Sequence, residues 1–176
     1  GCFYGMEFTN FINKQSSNAT TFKPFTDTSN TESWGYCFYN TKLTEIDIDA
    51  SSATRLDYTF ARNSFVVFPS IDTIKVINFA GAWQSCSSMT TFPTLNYSNA
   101  TNLSSIWEGC SNLNSFPSPS GSTSALNNVS KAFYGIKNPT SFPTSWDFIN
   151  VNQFNSTWVG CEGLTSFPTF NMEKCI

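Results

Sequence analysis

The chain contains no histidine, which excludes the side chain that most often serves as a general base or as a metal ligand. Charged residues make up only 12% of the 176 residues, and the net charge is -3 with nine scattered lysines and arginines. This balance provides no basic patch for nucleic acid or for an anionic membrane surface. No run of about 18 apolar residues occurs, so we expect a soluble protein without membrane insertion.

The chain contains a repeated sequence motif, which occurs as WQSCSSMTTFP, WEGCSNLNSFP and WVGCEGLTSFP. Its first aromatic residue, the anchor of each unit, recurs at intervals of 22 to 26 residues after a longer first gap. The seven anchors are Phe3, Phe38, Phe60, Trp83, Trp107, Phe133 and Trp158. No unit of about 24 residues buries its own aromatic rings, so stacking of neighbouring units at about 4.8 Å is expected to cover them.

The residues around each anchor predict a short helix. An apolar residue stands four positions earlier, as Leu56, Phe79 and Leu103 do, and this spacing places both side chains on one helical face. Two positions after the anchor come residues that mostly tolerate the left-handed conformation that ends a helix. These are Gly5, Asn40, Arg62, Ser85, Gly109, Gly135 and Gly160.

Each unit then continues into an L-x-x-F segment that predicts a short strand. The clearest copy, LTEIDID, has Leu43, Ile46 and Ile48 in the pattern of a leucine-rich-repeat strand. Proline follows the phenylalanine in five units and cannot donate to a central ladder, so the strands are expected to be short. The sequence therefore predicts an α/β solenoid, a leucine-rich-repeat-like stack of short parallel strands and short helices with about seven repeats.

Six cysteines are present without a C-x-x-C pair, so zinc binding by thiolates is not expected and we predict no metal and no cofactor. Cys86, Cys110 and Cys161 share one column of the repeat, and Cys2 and Cys37 share another. Stacked neighbours lie close enough for a disulfide between Cys86 and Cys110, or between Cys2 and Cys37. The alternative is a reduced, buried column of small apolar side chains, and without histidine no cysteine nucleophile is expected.

The segments NATNLSSIWEGCSNLNSFP and FNSTWVGCEGLTSFP resemble the BspA-like leucine-rich repeats, a surface repeat of about 25 residues. The Phe-Pro ending is similar to repeat arrays in structural proteins of tailed phages. The resemblance implies a non-enzymatic recognition or adhesion protein on a virion or cell surface, most simply a tail fibre or capsid decoration. It also divides the chain into a divergent N-terminal repeat with an insertion at 1–30 and a repeat region at 31–176.

Short polar residues between the L and F columns form a predicted strip on the strand face, suited to hydrogen bonding with a glycan or a protein. The strip comprises Thr44, Thr90, Thr91, Asn114, Ser115, Ser141, Thr165 and Ser166. We expect its partners to be a host-surface glycan or protein, or other virion or surface chains, with a homo-oligomer as a further option. The alternative to a virion protein is an adhesin displayed on a bacterial cell surface.

Two weaker alternatives rest on the alternating carboxylates Glu45, Asp47 and Asp49 in the LTEIDID segment. Three carboxylates on one face could hold calcium, although the carbonyls and the tight glycine turn of a cation loop are missing. Such residues could also serve a polysaccharide hydrolase, which uses a pair of carboxylates across a groove. A purely structural role, with the ends of the array docking on partner chains, remains the other non-enzymatic option.

Overall fold

The computed structural model describes residues 21–22, 28–139, 142–167 and 169–172. Within these residues there is one pair of parallel strands, β1 (Thr21–Phe22) and β2 (Glu45–Ile46), in which Thr21 pairs with Glu45 and Phe22 with Ile46. No α-helix occurs in the described part of the chain. The predicted α/β solenoid of strands and helices is therefore wrong. The predicted boundary near residue 30 stays a prediction, because most residues before it lie outside the described ranges.

Isolated parallel bridges connect equivalent positions of successive units. The chain of bridges runs from Ser33 to Arg55, Asn78, Asn102, Asn128 and Gln153. These positions divide the described residues into six layers, which we number layer 1 (33–54), layer 2 (55–77), layer 3 (78–101), layer 4 (102–127), layer 5 (128–152) and layer 6 (153–172). The units thus lie in register one after another, held by single bridges instead of continuous strands.

A run of overlapping turns replaces the predicted helix in every layer. In layer 3 the N–H groups of Ala82, Gln84 and Cys86 donate back to the carbonyls three residues earlier. The alternate N–H groups, those of Phe79, Gly81, Trp83 and Ser85, donate instead to carbonyls of layer 4 at 2.7 to 3.0 Å. An α-helix would direct every N–H along its own axis. Here half of them join one layer to the next.

The backbone conformation explains why a helix cannot form at the anchors. Residues two positions before and two positions after each described anchor have positive φ, between 52° and 81°, whereas helical residues all have negative φ. The predicted left-handed conformation two residues after the anchor is confirmed at every described position of that column. The residues concerned are Asn40, Arg62, Ser85, Gly109, Gly135 and Gly160.

The predicted strands are also nearly absent, because their ladder is interrupted. Only Glu45–Ile46 of the LTEIDID segment is strand, and Val67 with Thr91 forms an isolated bridge in the corresponding part of layers 2 and 3. Pro69 and Pro93 follow the buried phenylalanines of these layers and have no N–H to donate. The ladder is therefore interrupted at this column, and pairing resumes only as single bridges such as Asn96 with Ser120.

The core is a column of aromatic rings along the stack. Phe38 lies over Phe60 with ring centroids 6.0 Å apart and planes within 4°, and Phe60 lies over Trp83 at 5.7 Å. Trp107 and Phe133 continue the column at 5.5 Å, and Phe92 packs edge-on between Trp83 and Trp107. Of the five pairs of successive described anchors, the predicted stacking is confirmed for four: Phe38–Phe60, Phe60–Trp83, Trp107–Phe133 and Phe133–Trp158. The remaining pair, Trp83 and Trp107, is joined through Phe92. Burial of these rings at about 25 cal/mol per Å² is the main stabilising contribution.

Candidate binding face

The predicted polar strip lies between two buried columns. On one side are Leu43, Phe65, Met89, Leu113, Pro139 and the partly buried Leu164; on the other are Ile46, Phe68, Phe92, Phe116 and Phe142. Of the predicted strip residues, Thr44 and Thr90 are partly buried, whereas Thr91, Asn114, Ser115, Thr165 and Ser166 are exposed. Ser141 lies outside the described residues. The structure thus brings the seven described residues together on one face, which we call the lateral face.

Neighbouring layers are joined directly at this face. The N–H of Thr90 donates to the carbonyl of Val66 at 3.0 Å, and its hydroxyl reaches the same carbonyl at 3.4 Å. Thr91, which pairs with Val67, is exposed. Thr90 therefore joins layers 2 and 3, whereas its neighbour Thr91 presents its side chain to solvent.

Two exposed valines, which are not part of the predicted strip, interrupt the polar row. Val66 and Val67 are 53% and 60% exposed and occupy the positions that Thr90 and Thr91 occupy in the next layer. The signal was visible in the sequence, since FARNSFVVFP carries an apolar pair where the other units carry hydroxyl or amide side chains. The lateral face is thus polar over layers 3, 4 and 6 but apolar in layer 2.

The cysteine column is reduced, and its thiols complete the hydrogen bonding of the layers. The Sγ atoms of Cys86, Cys110 and Cys161 each donate to the anchor carbonyl of the preceding layer at 3.1 to 3.2 Å. All three are free thiols. Of the two readings, the reduced column is confirmed and the Cys86 to Cys110 disulfide is wrong. Cys2, of the other predicted pair with Cys37, lies outside the described residues.

Burial sets the protonation state of these thiols. Loss of water raises the pKa of Cys86 to about 12 and that of the partly exposed Cys161 to about 11, and it raises the pKa of Cys110 well above its usual value. A nucleophilic cysteine needs the opposite shift, because the thiolate is the reactive form. The three thiols are therefore hydrogen-bond donors and packing groups at neutral pH.

Asn63 takes the same position in layer 2 and makes four strong contacts there. Its Nδ2 donates to the anchor carbonyls of Phe38 at 2.7 Å and Phe60 at 2.9 Å. Its Oδ1 accepts from the hydroxyl of Thr41 and from the N–H of Leu43, both at 2.8 Å. The side chain is buried and satisfied, so it joins layers 1 and 2 and is not a binding group.

The carboxylates do not form a metal site in the described part of the chain. Glu45, Asp47 and Asp49 are all exposed, and no group of three or more potential ligands converges among the described residues. Asp57 is buried instead against Arg55, which it contacts through two hydrogen bonds of 3.0 and 3.1 Å. That contact raises the pKa of Arg55. The acidic residues therefore give no support to the calcium hypothesis.

A row of tyrosines lies on the turn side of layers 1 and 2, and sequence reasoning missed it. The rings of Tyr36 and Tyr58 stack at 4.9 Å, and the guanidinium of Arg62 lies 5.6 Å from the centroid of Tyr39. Tyr58 covers Gly81 of the next layer, where a Cβ atom would overlap its ring. Gly81 could be seen in the sequence, but its role in leaving room for the Tyr58 ring depends on how layers 2 and 3 are placed relative to each other.

No family model matches the chain, and neither a curated protein nor a solved structure matches it. The described part of the chain also contains no helix that could span a membrane. The resemblance to BspA-like repeats thus rests on the residues of the repeated sequence motif.

Proposed function

We propose that the protein is a non-enzymatic recognition protein that binds a host-surface glycan or protein through the lateral face. The observation that supports this most directly is the regular placement of exposed hydroxyl and amide side chains between two buried columns. Thr91, Ser115 and Ser166 occupy the same column in layers 3, 4 and 6, and all three are exposed beside the hydrophobic core. Repeated weak contacts along one face add up when the ligand is itself repetitive, as a polysaccharide is.

The chemistry of the remaining side chains supports a binding role over a catalytic one. The chain has no histidine, and the three described column thiols are held in their protonated form by burial. The buried carboxylate of Asp57 is paired with Arg55. In layers 3, 4 and 6 the side chains of the lateral face that are exposed to solvent carry hydroxyls and an amide, which donate and accept hydrogen bonds without covalent chemistry.

The proposed location follows from the resemblance of the repeated sequence motif to BspA-like repeats and to the repeat arrays of tailed-phage structural proteins. We propose display on a virion surface, as a tail fibre or capsid decoration, where the protein contacts the host surface or neighbouring virion proteins. Display on a bacterial surface as an adhesin is the second candidate, and the same face would serve it.

The test is binding of the full chain to a panel of bacterial surface glycans and to whole host cells. Substituting Thr91→Arg, Ser115→Arg and Ser166→Arg together places bulky side chains along the lateral face and is expected to abolish selective binding. Exposed positions tolerate such changes with little effect on stability. Binding that persists in the triple variant would show that another face is used.

Ser85→Arg provides the matched control, because Ser85 is exposed in the turn run and Arg62 occupies the equivalent position in layer 2. This variant is expected to bind as the parent protein does. Release of shortened glycan products would contradict the proposal in favour of an enzyme. Absence of binding to every glycan and cell would contradict it in favour of a structural role.

A further inference from the structure

Layer 2 carries two exposed isoleucines at the turn that precedes the next bridge position. Ile74 is 46% exposed and Ile77 is 48% exposed. The turn is closed by the N–H of Val76, which donates to the carbonyl of Thr73 at 3.0 Å, and the corresponding bond closes the same turn in layers 1, 3, 4 and 5. Thr73 and Val76 are buried, so the turn is anchored in the core while the two isoleucines face solvent.

The other layers carry polar residues at these two positions, with one exception. The position of Ile74 is occupied in layers 1, 3, 4 and 5 by Ser51, Ser98, Ser124 and the partly buried Ile149. The position of Ile77 is occupied in the same layers by Thr54, Thr101, Asn127 and Asn152. Among the described turns, layer 2 is therefore the one with exposed aliphatic side chains at both positions.

The backbone that carries the two isoleucines is fixed by the neighbouring layers. The carbonyl of Ile74 accepts from Nδ2 of Asn99 at 2.7 Å, and the carbonyl of Ile77 accepts from the N–H of Thr101 at 2.9 Å. On the other side, the N–H of Ile77 donates to the carbonyl of Thr54 at 2.9 Å. The apolar side chains are thus held at the surface in advance, which lowers the entropy cost of binding a partner there.

Two charges of opposite sign lie on the same turn. Asp72 and Lys75 are both exposed, and neither forms an ion pair within the described part of the chain. Oδ1 of Asp72 accepts from the N–H of Ile74 at 3.0 Å, which holds the carboxylate beside the turn. We call Asp72, Ile74, Lys75 and Ile77 the layer 2 ridge. Its surface is apolar, with one negative and one positive charge.

We propose that the layer 2 ridge binds the same ridge of a second copy of the chain in a two-fold symmetric dimer. In a two-fold contact the two ridges run in opposite directions, so Asp72 of each copy meets Lys75 of the other. The isoleucines of both copies lie between the two ion pairs and are removed from water. The contact therefore gives both charges and both apolar side chains a partner.

The composition of the ridge distinguishes this partner from others. A polysaccharide that follows the stack needs similar groups in successive layers, as the hydroxyls of the lateral face provide, whereas the ridge is confined to one layer. A partner of one charge sign would place a like charge opposite either Asp72 or Lys75. An identical ridge satisfies both residues, and the two-fold axis doubles the single set of apolar side chains.

The experiment is sedimentation velocity of the full chain at concentrations up to about 1 mM, because contacts that bury less than about 1,200 Å² are weak and transient. We expect the weight-average sedimentation coefficient to rise with concentration and to level off at the value of a dimer. A monomer over the whole range would overturn the proposal. A rise beyond the dimer would also overturn it, because a two-fold contact is closed.

A double variant that uses the residues of layer 3 locates the contact. Ile74→Ser with Ile77→Thr gives layer 2 the residue types of Ser98 and Thr101. These types already occupy the same turn in the next layer, so we expect the fold to be retained. Dimerisation is expected to weaken about tenfold or more, because the apolar part of the contact is lost.

The matched control makes the same kind of change elsewhere in layer 2. Val66→Thr with Val67→Thr replaces two exposed valines of the lateral face with the residue types of Thr90 and Thr91. This variant is expected to dimerise as the parent protein does. Equal weakening by both double variants, or by neither, would overturn the assignment to the layer 2 ridge.

A charge exchange tests the pairing of Asp72 with Lys75 across the two-fold axis. Lys75→Asp gives a ridge with two negative charges, and Asp72→Lys gives a ridge with two positive charges. Each variant alone brings like charges together and is expected to dimerise about tenfold more weakly than the parent protein. An equimolar mixture restores opposite charges at both pairs, so we expect it to dimerise about as strongly as the parent. A mixture as weak as the separate variants would contradict the two-fold contact.

Asp72→Lys also removes the acceptor for the N–H of Ile74, and a second variant avoids that loss. Asp72→Asn retains the side-chain oxygen, as Asn96 does for the N–H of Ser98 in layer 3. Mixed with Lys75→Asp it restores one of the two ion pairs, so the mixture is expected to associate more tightly than Lys75→Asp alone. Equal association would contradict the proposal. The ridge contains no residue of the lateral face, so glycan binding can fail while dimerisation is confirmed, or the reverse.

Discussion

Layers 4 and 6 contain nearly the same sequence motif, WEGCSNLNSFP in layer 4 and WVGCEGLTSFP in layer 6, yet their side chains have different surroundings. Trp107 is 1% exposed, whereas Trp158 is only partly buried, and Cys110 is fully buried whereas Cys161 is not. Layer 4 has a layer on each side, but layer 6 has one on a single side among the described residues. In this fold the role of a residue depends on its neighbours along the stack as much as on its place in the repeat.

The largest expected effect concerns the anchors of these two layers. Trp107→Ala removes a ring packed against Phe92, Phe116 and Phe133, and we expect a loss of about 3 to 5 kcal/mol in the free energy of unfolding. Trp158→Ala removes a ring that is covered on one side, so we expect a loss of about 1 to 3 kcal/mol. Urea unfolding followed by circular dichroism measures both values.

The comparison requires that the two variants unfold with the same denaturant dependence, since a changed slope would indicate a changed folded or unfolded state. Equal losses for the two variants, measured at a concentration where the protein is monomeric, would show that layer 6 is covered in solution. That result would remove the distinction between inner and outer layers.

Part of the fold could be predicted from the sequence. The anchor interval predicted which rings stack, and the residue types two positions later predicted the left-handed backbone, because both depend on local chemistry. The helix was wrong because Leu103 and Trp107 face the core at a spacing of four residues in a run of turns as well as in a helix. What distinguishes the two is the positive φ of Ser105, a residue type that rarely adopts it and gives little local signal.

The candidate face was predictable to a similar degree. The position of Thr91 and Ser115 between two apolar columns was sufficient to place them at the surface. The cysteines could not be assigned from spacing alone, since neighbouring layers bring Cys86 and Cys110 close enough for either state. The structure decides between them because each thiol donates to an anchor carbonyl of the preceding layer.

A second comparison, between two glycines with positive φ, isolates the tyrosine row. A Cβ at Gly109 would meet Ser85 Oγ at 3.4 Å, so Gly109→Ala is expected to cost only the left-handed backbone penalty, about 1 to 2 kcal/mol. Gly81→Ala would also displace the ring of Tyr58, and we expect about 1 to 2 kcal/mol more. Thermal or urea unfolding of both variants measures the difference.

The control for this pair is Gly81→Ala in a Tyr58→Ala background. Removing the ring should reduce the cost of Gly81→Ala to that of Gly109→Ala, because only the backbone term then remains. A cost that stays the same without the ring would mean that Tyr58 does not determine the glycine at position 81.

A third comparison, between the buried thiol of Cys86 and the partly exposed thiol of Cys161, concerns the slope of stability against pH. The unfolded chain ionises a thiol above about pH 8.5, whereas the folded protein keeps the proton on Cys86 until about pH 12 and on Cys161 until about pH 11. Above pH 8.5 the unfolded state therefore binds fewer protons, and the free energy of unfolding falls as the pH rises, by about 1.4 kcal/mol per pH unit for a fully buried thiol. Below pH 8.5 the contribution is fully present. Urea unfolding of the reduced protein at a series of pH values from neutral to about 10.5 measures the slope.

Cys86→Ser keeps a donor for the carbonyl of Phe60 but does not ionise in this range, so it should flatten the decline by nearly that full amount. Cys161→Ser should flatten it less, because solvent screens the charge of a partly exposed thiolate. All other ionisable groups are the same in the three proteins, so only the differences between the slopes carry the information. If Cys86→Ser declined as steeply as the parent, the thiol would ionise in the folded state, and the burial that separates the inner layers from layer 6 would not hold at this position.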